Sequence, residues 1–189
     1  VYLKIRDKFS NSILLESSDY HANDNSFSYI CFNPIAAIKV EHQKIEMNFP
    51  DGFSEIIPID SDVNVAKEIE NFSKQFQTKK SDFKFITQGL FGYISYDAIQ
   101  YFEKISIANK SLENKIPEIY YAVYQNIIAI NHFKNEAYLF CHSIDGTNNI
   151  TEIEQLLQAK NFASFSFQKS GIASSNKTYY EIKNYDSLS

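Results

Sequence analysis

Tryptophan is missing from this chain of 189 residues, and glycine (5), proline (4) and cysteine (2) are scarce. So little glycine and proline argues against a loop-dominated or repetitive protein. Cys31 and Cys141 lie far apart with no Cys-x-x-Cys spacing, which indicates neither a disulfide framework nor a zinc site. Each sits in an apolar, strand-like run, where a thiol behaves as an inert core residue, and that usage fits a reducing cytoplasm, the expected location. Basic clusters are also lacking. The densest, Lys79-Lys80, is followed closely by the acid Asp82, and the net charge is −5. Nucleic-acid binding needs a basic face to displace counterions from phosphates, so that class is set aside. No apolar run approaches the ~18 residues of a transmembrane helix, and no basic stretch leads into an apolar one as in a signal peptide. The chain starts at Val1 rather than Met, so a processed or trimmed N-terminus is expected.

What is abundant is ring surface. Hydrophobic residues make up 44% of the chain and aromatic ones 15%, as 16 Phe and 13 Tyr. Aromatic side chains pack across strands, so this composition favours sheets. The length suits one domain, or one domain plus tails.

Hydrophobic patterning divides the chain into short elements. Residues 1–6 (VYLKIR) alternate apolar and polar side chains, which predicts a half-buried strand. Residues 13–15 predict a second strand and 27–32 (FSYICF) a third, with Asn33-Pro34 as its stop because proline lacks the ladder N–H. Residues 37–41 and 44–49 flank His42-Gln43 as a hairpin does, and Pro50-Asp51-Gly52 is a turn. From 62 to 76 the period changes. Val65, Ile69, Phe72 and Phe76 share one face of a helix, with Ser61 or Asp62 as its expected cap and Lys67, Glu68, Glu70 and Lys74 on the wet side. Residues 88–96 return to strand character, and Asp97 opens a second amphipathic run over 98–105. Residues 109–115 are polar and loop-like. The densest β signal is a hairpin with arms 120–130 and 136–142 and a turn near 132–135. A turn at 145–149 precedes a short helix carrying Ile150, Ile153, Leu156 and Leu157, then a strand at 162–167 (FASFSF). Residues 169–189 have no core pattern and read as a linker or tail. Hairpins with interposed helices predict an α+β fold of antiparallel sheets packed with a few helices.

Catalytic chemistry is not legible. His21, His42, His132 and His142 show no metal spacing, and His42 and His132 fall in turns, so a structural or exposed role is expected of all four. There is no nucleophile elbow, and Gly89-x-x-Gly92 lacks the Lys-Ser/Thr of a phosphate loop. These glycines mark instead a strand whose backbone packs closely on a neighbour. Glu16 and Ser17 admit two readings. With Ser18 and Asp19 they suit a turn, where short polar side chains bond their own backbone. At the end of an apolar strand, beside Leu15 and Phe27, a carboxylate and a hydroxyl also suit a small pocket that receives an ammonium group.

Four stretches, Leu14-Leu15-Glu16-Ser17, Ser26 to Pro34 (SFSYICFNP), Gly89 to Glu103 (GLFGYISYDAIQYFE) and Ile116 to His132 (IPEIYYAVYQNIIAINH), occur in an order that resembles the N-terminal domain of anthranilate synthase component I. That enzyme is one of the chorismate-using family, and aminodeoxychorismate synthase component I, of folate synthesis, shares its plan. The resemblance covers nearly the whole chain. It implies a regulatory domain over 1–168, a linker or tail over 169–189, and a separate chorismate-binding domain that holds the catalytic residues and Mg2+. No catalytic residue, metal or cofactor is then expected in this stretch. It further implies a glutamine amidotransferase partner (component II) and a tryptophan feedback pocket with Leu15, Glu16 and Ser17 on one wall. The aminodeoxychorismate branch, and a stand-alone ligand-binding or interaction module, stand as alternatives.

Overall fold

The structure, a computed structural model, describes residues 1–16, 26–77, 81–105, 107, 116–144 and 146–159. In chain order its elements are α1 (Tyr2–Lys8), β1 (Ile13–Leu15), β2 (Phe27–Glu41), β3 (Lys44–Asn48), β4 (Ser54–Pro58), α2 (Val65–Lys74), β5 (Leu90–Ile94), a 3-10 helix (Tyr96–Tyr101), β6 (Ile119–Asn131), β7 (Glu136–Cys141) and α3 (Ile150–Gln158). All strand pairs are antiparallel and form one 7-stranded sheet with helices packed on it, which makes the fold α+β.

Two long strands organise that sheet. β2 and β6 pair from Phe27↔Asn131 to Val40↔Ile119, with a register shift between Pro34 and Ala36. The outer edge of β2 takes β1 along its first part and the β3–β4 hairpin along its last part. The outer edge of β6 likewise takes β5 along its first part and β7 along its last. The β2–β6 ribbon thus joins a five-stranded half, β4-β3-β2-β6-β5, to a four-stranded half, β1-β2-β6-β7. Three cores follow from this layout. Ile38, Val40, Ile45, Ile119, Val65 and Phe72 unite the five-stranded half with α2. Ile5, Ile30, Phe32, Ile128 and Ile153 unite the four-stranded half with α1 and α3. On the opposite face of the ribbon, Cys31, Phe91, Ala122, Tyr124 and Ile127 form a third core.

Several expectations are corrected. Residues 1–6 are not a strand: Tyr2–Lys8 is helical, because Tyr2, Ile5 and Phe9 reach one core at helical spacing. In so short a window the two periods are hard to tell apart. The helix is held onto α3 by Lys8 and Glu152, 2.8 Å apart, and by Lys4, whose ammonium donates to the carbonyls of Leu157 and Ala159. Those carbonyls close the C-terminal end of α3, where a cation is favoured. Pro34 does not stop β2. It falls between the reach of β1, which ends opposite Cys31, and that of β3, which begins opposite Ala37, so the outer edge there has no strand awaiting an N–H. The cap of α2 is Asn64, whose Oδ1 accepts from the Lys67 N–H at 3.0 Å, rather than Ser61 or Asp62. The run expected over 98–105 is a short 3-10 helix. The strand expected at 162–167 and the tail lie outside the described residues.

Other expectations hold. Val65 and Phe72 of α2 are buried, with Ile69 and Phe76 packed against the same core. The two-residue turn His42-Gln43 closes the β2–β3 hairpin with both residues at positive φ, 52° and 57°. That is the hairpin geometry whose twist matches the flanking strands. Gly92 is the close-packing glycine: a Cβ there would stand 1.9 Å from the carbonyl oxygen of Tyr120.

Candidate functional site

β1 supplies the sequence-predicted residues. Leu14 and Leu15 pair with Ile30 and Tyr29 of β2, and strand alternation sends them to different cores. Leu14 joins the α1/α3 core, while Ile13 and Leu15 pack with Cys31, Phe91 and Tyr124. Leu15 is half-buried, and Glu16, just past the strand, is exposed. Ser17 lies outside the described residues. Leu15 is therefore brought to an aromatic surface, while Glu16 is exposed one residue beyond the strand.

The aromatic surface is continuous. Tyr29 meets Phe91 at 5.8 Å and Phe27 at 6.3 Å, and Phe27 stacks on Phe85 at 4.6 Å. Phe83 and Phe85, in a segment without regular structure, pack on Tyr138 and Phe140 of β7. Burial pushes the Tyr29 hydroxyl above its ordinary pKa, partly offset by a hydrogen bond with the backbone of Ile86. Beside these rings the buried Ser28 hydroxyl shares a 2.6 Å hydrogen bond with His132 Nε2, and the His132 backbone N–H donates to the Ser26 carbonyl. His132 thereby fastens the start of β2 to the β6–β7 turn, a structural role.

A concavity opens elsewhere, at the middle of the ribbon. It is a groove of about 1660 Å³ between the β3–β4 turn, the end of α2 and the end of β7, with Phe49, Phe76, Gln88, Gln125 and His142 on its walls. His142 donates through Nε2 to the Thr87 carbonyl at 2.8 Å, and through its backbone N–H to the Gln125 carbonyl at 2.6 Å. Under the groove, the fully buried Asn126 accepts from Asn33 at 2.8 Å and exchanges hydrogen bonds with Asn149 at 2.8 and 3.1 Å. The Cys141 thiol also donates to Asn149. This amide network satisfies the polar groups at the irregularity near Pro34 and ties them to the start of α3. Neither Leu15 nor Glu16 lines the groove. Sequence reasoning missed Gln125, Asn126 and His142 as a group. The available signal was a Gln-Asn pair inside the apolar run of β6.

Among the described residues, no cluster of three or more His, Cys, Asp or Glu is placed to hold a metal ion. No helix among them is long and apolar enough to cross a membrane. Cys31 is fully buried, and burial pushes its thiol up to about 12. It is a core residue and not a nucleophile.

An α+β sheet protein with an aromatic wall and an open groove, and without a reactive cluster among its described residues, is the class this geometry defines. The chain belongs to the chorismate binding enzyme family, whose model matches residues 11–184. It is 28% identical over 158 residues to anthranilate synthase component 1 of Methanothermobacter marburgensis, covering 83% of this chain and 31% of that protein. To the protein of the same name in Lactococcus lactis it is 29% identical over 143 residues, covering 74% and 28%. Among solved structures, anthranilate synthase component I from Streptococcus pneumoniae matches with a TM-score of 0.48 and 20% identity, over 82% of this chain and 32% of that one. The chain thus spans under a third of the length of the curated relatives it matches.

Proposed function

We propose that this chain is the N-terminal regulatory and structural domain of an anthranilate synthase component I. Residues 1–168 form the domain, and 169–189 lead toward a chorismate-binding portion that carries the catalytic residues and magnesium. The intact enzyme converts chorismate and glutamine-derived ammonia to anthranilate, pyruvate and glutamate, with a glutamine amidotransferase subunit as partner. One observation carries this reading: relatives named anthranilate synthase component 1 align over 83%, 74% and 84% of this chain while using 31%, 28% and 31% of their own length. Their shared name favours the anthranilate branch over the aminodeoxychorismate branch. By itself the 189-residue chain then has no turnover.

In this reading Leu15, Glu16 and Ser17 form one wall of a tryptophan pocket that the rest of the enzyme completes. A half-buried Leu15 with an exposed carboxylate beside it suits a wall of that kind. Tryptophan inhibits by binding one arrangement of the two parts better than the other. In the full-length gene product, Glu16→Ala or Ser17→Ala therefore raises the tryptophan concentration for half-inhibition roughly tenfold or more, the loss of one hydrogen bond to a charged group. Uninhibited turnover stays unchanged. Unaltered inhibition in both variants refutes the wall, and a stop codon directly after Ser189 refutes the two-part enzyme.

A further inference from the structure

We propose that α1 is a clasp: it joins β1 to the end of α3, and the three open and close as one unit. Neither helix is well supported from within. α1 has 7 residues, no side-chain hydrogen bond capping its start and no acid in its first turn, and a helix that short is marginal alone. α3 has 9 residues, no side-chain hydrogen bond capping its start and no basic residue in its last turn to meet the free carbonyls there. The missing cation comes from α1. Lys4 donates to the Leu157 carbonyl at 2.8 Å and to that of Ala159. Lys8 meets Glu152, in the first turn of α3. Lys4 and Lys8 stand about 6 Å apart along α1, and Glu152 and Leu157 about 7.5 Å apart along α3, at roughly 1.5 Å per residue. The two contacts are therefore met together with the helices antiparallel.

β1 belongs to the same unit. Leu14 packs in the core where Ile5 of α1 and Ile153 of α3 are fully buried. Phe9, at the end of α1, lies 4.9 Å from Phe32 in that core, and residues 9–12 alone separate α1 from β1. With 3 residues, β1 holds to β2 by a short ladder and depends on this anchor. The five-stranded half has a separate core with α2, built of other residues, so it stands outside the unit. The consequence, which rests on the reading proposed above, is a route from the pocket wall toward the catalytic portion. Leu15 and Glu16 lie at one end of the unit, and Ala159, the last described residue, lies at the other. A ligand that holds β1 in place favours the closed unit and so fixes the last turn of α3, from which the chain runs on, because binding stabilises the state it prefers.

Hydrogen exchange read by mass spectrometry in the full-length gene product tests this, because segments that open together lose protection together. Lys4→Met keeps an aliphatic stem and removes the charged donor. It should speed exchange roughly tenfold in α1, in β1 and in the last turn of α3, with β3 and α2 unchanged. Leu14→Ala perturbs the unit from its other end and should speed exchange in α1 and at the end of α3 as well. Faster exchange confined to α1 in the first variant, or to β1 in the second, overturns the proposal. Saturating tryptophan should slow exchange in all three segments of wild type, and slowing at β1 alone also overturns it. No slowing anywhere refutes the pocket and not the clasp, which the two variants then decide.

Discussion

Replacing Gly92 by alanine puts a methyl carbon 1.9 Å from the Tyr120 carbonyl oxygen and 2.8 Å from both Tyr120 C and Tyr121 Cα. A carbon normally comes no nearer than about 3.3 Å to a carbonyl oxygen, so the shortfall is roughly 1.4 Å. All three neighbours are backbone atoms of the central strand β6, and no rotamer change relieves the overlap. β5 must move away, which strains hydrogen bonds worth about 0.5–1.5 kcal/mol each and lifts the buried Phe91 ring from its core. Overpacked sites lose about 1–3 kcal/mol, and an immovable neighbour puts this one at the upper end, near 3 kcal/mol. For a chain of this length that is a fall in melting temperature of about 6–12 °C. Urea unfolding followed by circular dichroism measures the loss directly. The backbone of Gly92 is outside the left-handed region, so the whole effect is steric. A Gly92→Ala variant within 1 kcal/mol of wild type would refute the close approach of β5 to β6.

Two further outcomes follow from backbone and burial. Gln43 holds φ at 57° at the hairpin turn, and its backbone carbonyl accepts from the Ile59 N–H. Gln43→Gly keeps that bond, removes the left-handed penalty and should stabilise the chain by about 1 kcal/mol in urea unfolding, whereas a loss would contradict the turn geometry. The Cys31 thiol is raised from 9.0 to about 12, so the unfolded chain releases its proton first as pH rises. The stability this thiol contributes is complete below pH 9 and is lost at about 1.4 kcal/mol per pH unit between 9 and 12. Cys31→Ala should show a shallower alkaline slope than wild type by about that amount, and equal slopes would mean that the thiol is not buried.

Long-range pairing was less legible than local pattern. The arms of the β6–β7 hairpin, the face of α2 and the turn at His42-Gln43 depend on neighbours a few residues apart, and composition exposed them. The continuation of β2 through Pro34 depends on where β1 and β3 happen to stop along its outer edge, which no local window contains. The amide network of Asn33, Asn126 and Asn149 joins residues from three separate elements, so each reads singly as an unremarkable turn or strand polar. For the candidate site, the residues alone left Glu16 open between a turn and a pocket beside Leu15, and resemblance to a family tipped the choice. Their placement beside Tyr29 needed the register of β1 on β2.

The β2–β6 ribbon also sets the chain's contact order. Ser28 and His132, hydrogen-bonded across it, are 104 residues apart, and Asn33 and Asn126 are 93 apart. The β2–β3, β3–β4 and β6–β7 hairpins close locally, but neither half of the sheet is complete until this large loop has closed. Loop-closure entropy grows only slowly with length, about 0.6 kcal/mol per doubling, so insertions between β4 and β5 should cost little stability. Speed is another matter, because non-local strand pairing is slow. During synthesis at about 5–20 residues per second, β2 stands with its inner edge open for roughly 5–20 s before β6 emerges. The apolar stretch from Phe27 to Phe32 is the part of the chain most in need of protection in that interval.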